Sequence, residues 1–191
     1  MVPEPAGNAR NTGTAKLWLT RLLLLAAAIG VSVVLAEGIV RVLNPIIEAR
    51  RYTALDTPVS IEAERDFVID FPERGIWKVA VRQSDHRIVG FQVLEPYASY
   101  THAFDHVATL GTYVDLDLRR QGIARRLFAA TFDAARQKGY EKIFTFVRAD
   151  NPAALQTYLG QGFLVIGNAK RQAKIDGQYI DEILIEKWLA P

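Results

Sequence analysis

Residues 123–138 carry a helical pattern and lie between two strand patterns, 107–115 and 142–147. Ile123, Leu127, Thr131 and Ala134 form one stripe, with Ala124, Phe128 and Ala135 beside it. Arg125, Arg126, Asp133, Arg136 and Gln137 take the other side. The flanking stretches "VATLGTYVD" and "KIFTFV" are apolar and rich in β-formers. A helix between two strands is a crossover, and a crossover suits strands that run parallel. This unit requires a mixed α/β sheet.

The remaining elements fit around it. "IWKVAVR" (76–82) and "RIVGFQVLEPY" (87–97), joined by the turn residues "QSDH", predict a hairpin. Residues 98–106 read as a polar, aromatic loop. Gly139 is a natural stop for the crossover helix. Asn151-Pro152 opens a second helix, because Asn caps and Pro is favoured at the first helical position; Gly162 ends it. "FLVIGNAKRQAKI" and "YIDEILIEKWL", joined by "DGQ", predict a closing hairpin. The expected fold class is α/β: a mixed, mostly antiparallel sheet with one parallel βαβ crossover, preceded by a single hydrophobic helix.

That helix comes from the first 45 residues. The run from Leu22 to Ala36 is apolar or small, and apolar character continues to Leu43 across Glu37 and Gly38. A spanning helix needs about 20 residues. The stretch 22–43 therefore reads as transmembrane if Glu37 and Arg41 pair at their i, i+4 spacing or snorkel. The layout is then a basic tail at 1–21, a span at 22–43, a linker at 44–57 begun by the helix-stopping Asn44-Pro45, and a folded domain at 58–191. The alternatives are a cleaved signal peptide, with Arg10, Lys16 and Arg21 as its basic region and "VLA" at 34–36 as its cleavage pattern, and a buried or interfacial helix. Basic residues stand on both sides of the span, so charge alone leaves its orientation open.

The densest positive charge sits just before the crossover helix, in "LRRQGIARRLF". The first turn of a helix presents unpaired N–H groups and a positive dipole end, and so accepts phosphate. Gly122 allows close approach to the backbone. Arg119, Arg120, Arg125 and Arg126 raise the local potential. A pyrophosphate is the natural guest. The loop lacks the Lys-Ser/Thr of a P-loop and the glycines of a dinucleotide fingerprint. A net charge of +2 argues against a protein that coats nucleic acid. With no cysteine, disulfides, thiolate metal sites and a cysteine nucleophile are excluded.

"RRQGIA" resembles the Q/R-x-x-G-x-G/A loop of the GCN5-related N-acetyltransferase (GNAT) superfamily. "NPAALQTYLGQGF" (151–163) resembles that family's N-x-x-A-x-x-x-Y-x-x-x-G-F segment. "HVATLGTYVD" (106–115) and the closing hairpin are similar to the family's corresponding strands. The resemblance covers about 76–189. Before residue 76 the pattern departs: "PVSIEAERDFVIDFPERG" leaves room for one strand and little helix, where members carry a strand and two helices that shape the acceptor site.

The resemblance implies an acetyl-CoA-dependent N-acetyltransferase that transfers by direct attack of a primary amine. It implies that Val114, Arg119, Arg120, Gln121, Gly122, Ile123, Ala124 and Asn151 hold acetyl-CoA, and that Tyr158 protonates the leaving thiolate. Asn151 also reads as a plain helix cap, and Tyr158 as a core tyrosine sharing a face with Leu155, Leu159 and Gly162. The glutamate many members place in the strand before the loop is absent, since Thr109, Leu110 and Gly111 stand there. Glu95 is the candidate base; Asp115 and Asp117 read as loop structure. Tyr97, Tyr100 and His102 are candidates for the acceptor mouth. "HAFDH" places two histidines at i, i+4 without a convincing third ligand, so no metal is expected.

The expected partners are acetyl-CoA, a small amine or amino-sugar acceptor and a membrane, with no nucleic acid. The oligomeric state is open, with a dimer as an option. Because acetyl-CoA is a cytoplasmic metabolite, the domain is expected to face the cytoplasm from a single-pass anchor. The competing reading is a non-catalytic acyl-CoA-binding or membrane-adaptor module of the same fold.

Overall fold

The computed structural model describes residues 32–189. The expected basic tail and residues 22–31 of the expected span lie outside the described residues.

Two helices precede the sheet: α1 (residues 32–48) and α2 (Ile61–Ile69). Ser60 starts α2 by accepting a hydrogen bond from the Ala63 amide. The strands are β1 (Ile76–Val81), β2 (Ile88–Pro96), β3 (Val107–Val114), β4 (Lys142–Arg148), β5 (Leu164–Ile175) and β6 (Gln178–Trp188). The crossover helix α3 is Ile123–Gln137, and α4 is Pro152–Leu159. The sheet order is β1-β2-β3-β4-β6-β5. Only β3 and β4 pair in parallel; every other pair is antiparallel, as the crossover and the two hairpins require. The β5–β6 turn is Asp176-Gly177, both at positive φ, which matches the twist of a two-residue hairpin.

Residues of β2 alternate between two apolar layers. Leu94 joins Leu110, Phe128, Phe132, Ile143, Tyr158, Phe163 and Ile185 beneath α3 and α4. Phe91 and Val93 face the other way, onto Ile39, Val42, Leu43, Ile46 and Ile47 of α1. The sheet is therefore covered on both faces.

This packing corrects the N-terminal layout. Residues 36–43 of the expected span belong to the domain: Ala36, Ile39, Val42 and Leu43 are at most 5% exposed, pressed on the sheet. The expected linker begins inside α1, where Ile46 and Ile47 are buried. Asn44-Pro45 does not stop the helix. Pro45 stands on the exposed stripe with Glu37, Arg41 and Glu48, where water can reach the Arg41 carbonyl that proline leaves without a donor. Among the described residues no helix is long and apolar enough to cross a membrane. The region before 76 also holds two helices and, among the described residues, no strand. Ile47→Val should therefore cost about 1 kcal/mol in a chemical melt, where a linker residue would cost nothing.

Candidate functional site

The parallel pairing of β3 and β4 is short. Only Val107 with Lys142 and Ala108 with Ile143 are in register. One further tie follows, from the Thr145 hydroxyl to the Leu110 carbonyl at 2.9 Å. Beyond it the strands part, and two cavities open where they separate.

The first cavity, of about 590 Å³, lies between β3, the loop after it, and α4. Val114, Arg119, Arg120, Gly122, Ile123, Ala124 and Asn151 line it, as the sequence led one to expect; Gln121 does not, and its side chain is exposed. Gly122 caps α3 at φ +76°, with no side-chain cap. The first amide bonded within the helix is that of Arg126, to the Gly122 carbonyl at 3.1 Å. The N–H groups of residues 122–125 thus have no protein acceptor among the described residues and stand at the positive end of the helix. A Cβ built on Gly122 meets nothing within 4 Å, so the space above this turn is open. Such a turn, with arginines at its rim, can hold a phosphate or pyrophosphate. Asp115 is loop structure, accepting from the Asp117 amide at 3.0 Å.

Asn151 stands at the cap of α4 and at the cavity. Its Oδ1 accepts from the Ala154 amide at 3.2 Å and caps α4, while the residue lines the cavity. Its Nδ2 donates to the Tyr52 carbonyl at 3.4 Å. Tyr52, which the sequence did not single out, lies under the Arg119 guanidinium at 3.9 Å and borders both cavities.

The second cavity, of about 540 Å³, lies on the α1–α2 side of the same split. Tyr158, Thr112, Tyr113 and Ala154 border both cavities, so the two spaces meet beside the Tyr158 ring. Tyr158 is 7% exposed, and its hydroxyl donates to Thr112 Oγ1 at 3.0 Å. Gln92 Nε2 donates to the same oxygen at 2.9 Å. Hydroxyl protons rotate. Thr112 can therefore turn its own proton toward Tyr158, which frees the phenol to donate into the cleft. Burial pushes the Tyr158 phenol well above its ordinary range, against a lowering by the Thr112 bond, so it stays protonated.

Glu95 also lines the second cavity, directly opposite Thr109 in the β2–β3 register. It therefore places a carboxylate beside the strand position where one was missing. Burial raises its pKa. Glu64 of α2, which sequence reasoning missed, lines the same space at 5% exposure, and burial raises its pKa too. Gln92 and Thr112 left a trace in the sequence as polar residues inside apolar strands. Glu64 and Tyr52 left none.

The expected acceptor-mouth residues are elsewhere. Tyr97 packs edge-on against Phe104 and Phe144, Tyr100 is 83% exposed, and His102 bonds Asp105 at 3.0 Å on the surface. None of the three lines either cavity, because the loop that carries them joins β2 to β3 at the end of the sheet opposite the arginine-rich turn. Among the described residues no group of three or more histidine, aspartate or glutamate side chains could hold a metal ion.

Comparison with curated proteins gave no match. Among solved structures, a putative phosphinothricin N-acetyltransferase is 22% identical, with a TM-score of 0.72 over 80% of this chain and 91% of that one. The ribosomal-protein-alanine N-acetyltransferase of Brucella melitensis is 23% identical, with a TM-score of 0.72 over 80% and 93%. A phosphinothricin acetyltransferase of the GNAT superfamily from Sinorhizobium meliloti, solved with AcCoA, is 15% identical, with a TM-score of 0.74 over 81% and 83%. These likenesses show the fold. The sequence model of the acetyltransferase (GNAT) family matches residues 46–163 and so takes in the end of α1, the arginine-rich turn and Tyr158. With more than half its length matched in this way, the chain belongs to the acetyltransferase (GNAT) family.

Proposed function

We propose that this protein is an acetyl-CoA-dependent N-acetyltransferase that acts on a primary amine by direct attack. The observation that carries the reading is the pair of cavities meeting at Tyr158, one of them bounded by open main-chain amides. The amides of residues 122–125 would hold the pyrophosphate, with Arg119, Arg120 and Arg125 drawing it in. Val114 and Asn151 would flank the rest of the donor. Acetyl-CoA supplies an activated acetyl thioester; the acceptor enters from the other side of the split.

An amine near neutral pH is mostly ammonium and must lose a proton before it attacks. Glu95, its pKa raised by burial, is suited to take that proton. The new N–C bond forms as the C–S bond breaks; the second amine proton leaves nitrogen for water, sulfur gains one from Tyr158, and the phenol regains its proton from solvent. Tyr158, holding its proton against the cleft, would donate to the departing sulfur. No cysteine is present to carry an acyl-enzyme, which favours direct transfer. The carboxylates of Glu95 and Glu64 in the acceptor cavity favour turnover over a purely binding role.

The test pairs isothermal titration with acetyl-CoA against thiol release over a panel of amines. Saturable binding with amine-dependent thiol release is the expected result; binding without release on any amine would indicate a binding module. The acid limb of the rate–pH profile should fall above the ordinary glutamate value of 4.5. In Glu95→Gln that limb should disappear and kcat should drop about 100-fold or more.

We further propose a tether to the membrane. The supporting observation is the apolar sequence up to residue 35, which precedes the part of α1 buried on the sheet. The domain would then face the cytoplasm, where the donor is found. A reporter fused to the C-terminus that is active outside the cytoplasm would refute this arrangement.

A further inference from the structure

The acceptor cavity has a wall of a particular kind. Phe67 of α2 meets Trp77 of β1 edge-on at 6.0 Å. Trp77 stacks on Phe91 at 5.7 Å, and Phe91 on Tyr113 at 4.8 Å. Four aromatic rings thus run from α2 across three strands, and all four line the same space. Two carboxylates, Glu64 and Glu95, line the same space.

Among the described residues the cavity wall has one cation, and it is committed. Arg148 donates through Nε and Nη2 to Asp150 at 2.8 and 2.6 Å, and through Nη1 to the Thr53 carbonyl at 3.0 Å. Its side chain is 5% exposed. Glu64 is the opposite case: the residue is 5% exposed, and its carboxylate, which lines the cavity, has no ion pair or hydrogen bond among the described residues. A carboxylate that reaches the cavity with no protein partner is free to take a cation that enters it. Glu64, Glu95 and the Tyr113 ring border one and the same cavity.

Resting on the acetyltransferase reading, we propose that the acceptor is a monoamine on an apolar or aromatic body, and that Glu64 holds its ammonium group. An ammonium supplies three donors to carboxylates and a cation to ring faces, while an apolar body is matched by the rings. An α-amino acid would bring its own carboxylate against two others, with no uncommitted cation to receive it. An amino sugar would spread hydroxyls over rings that offer them few partners. Glu64 binds and orients the amine; the proton leaves through Glu95.

The full chain is assayed with acetyl-CoA and three acceptors: 2-phenylethylamine, phenylalanine, which adds a carboxylate to the same body, and glucosamine. The expected result is kcat/KM for 2-phenylethylamine about 100-fold or more above the other two. Glu64→Gln should raise KM for 2-phenylethylamine about 10- to 100-fold. Its kcat and its acetyl-CoA Kd should stay near wild type, the latter also reporting that the variant is folded, and Glu64→Asp should recover part of the affinity. Preference for phenylalanine or glucosamine would overturn the proposal, as would an unchanged KM in Glu64→Gln. A wild-type protein that binds acetyl-CoA but releases no thiol with 2-phenylethylamine would overturn it while leaving the donor site intact. Failure to bind acetyl-CoA at all would instead strike the acetyltransferase reading itself.

Discussion

Gly122→Asp is expected to abolish acetyl-CoA binding in a chain that still folds. The turn is left-handed at φ +76°, a conformation that aspartate tolerates better than most residues. The new Cβ meets no protein atom within 4 Å, so nothing in the fold must move. The loss comes from charge. The side chain would stand over the open amides of residues 122–125, where the pyrophosphate is to sit. A carboxylate about 4 Å from one phosphate charge costs about 4 kcal/mol at an effective dielectric of about 20, or about a thousandfold in Kd. Isothermal titration reads the binding and a thermal melt reads the fold. Unchanged affinity would remove the amides from the donor site. Gly122→Ala is the companion variant: it adds backbone strain without charge, and should weaken binding far less.

Tyr158→Phe should lower kcat by about 10²- to 10⁴-fold, the range of a single acid–base group. The substitution keeps the ring against Phe128 and Phe163, so the α3–α4 layer should stay packed. Thr112 loses one of its two donors and keeps Gln92. Acetyl-CoA Kd should stay within about threefold, because the hydroxyl acts on developing charge at sulfur rather than on the ground state. Full turnover in this variant would leave Tyr158 as a core residue that happens to border both cavities.

The two predictions test residues of different legibility. Gly122 could be placed from the sequence because a strand, an arginine-rich turn and an amphipathic helix follow one another, and each local pattern fixes the next element. Tyr158 could be placed on its helix, but its partner Thr112 lies 46 positions away. That contact exists only because β3 and β4 part at the point where α4 packs beneath them. Glu95, proposed as the base, lies opposite Thr109 in the β2–β3 register, on the strand next to the one that lacks a carboxylate. Tyr97, Tyr100 and His102 had suitable chemistry and sit at the wrong end of the strands.

The N-terminal helix shows how a strong local signal can hide a weaker one. Residues 22–43 read as one hydrophobic run, and the mean hydropathy drew attention from the spacing. From residue 36 onward the pattern is already that of an amphipathic helix. Ala36, Ile39, Leu43, Ile46 and Ile47 form one stripe, while Glu37, Arg41, Pro45 and Glu48 form the other. What hydropathy could not reveal was the surface that receives that stripe, Phe91 and Val93 of β2.

By itself the sequence determined the elements from residue 76 onward, the parallel crossover, the two hairpins and the anion-receptive turn, since each follows from periodicity, capping and turn chemistry within about 30 residues. The tertiary structure alone decided the insertion of β6 between β4 and β5, the covering of the sheet by α1, and the meeting of Glu64, Glu95, Thr112 and Tyr158 around one split. Those outcomes depend on which apolar faces bury one another across long separations. Burial is non-directional, and no local pattern encodes its partner.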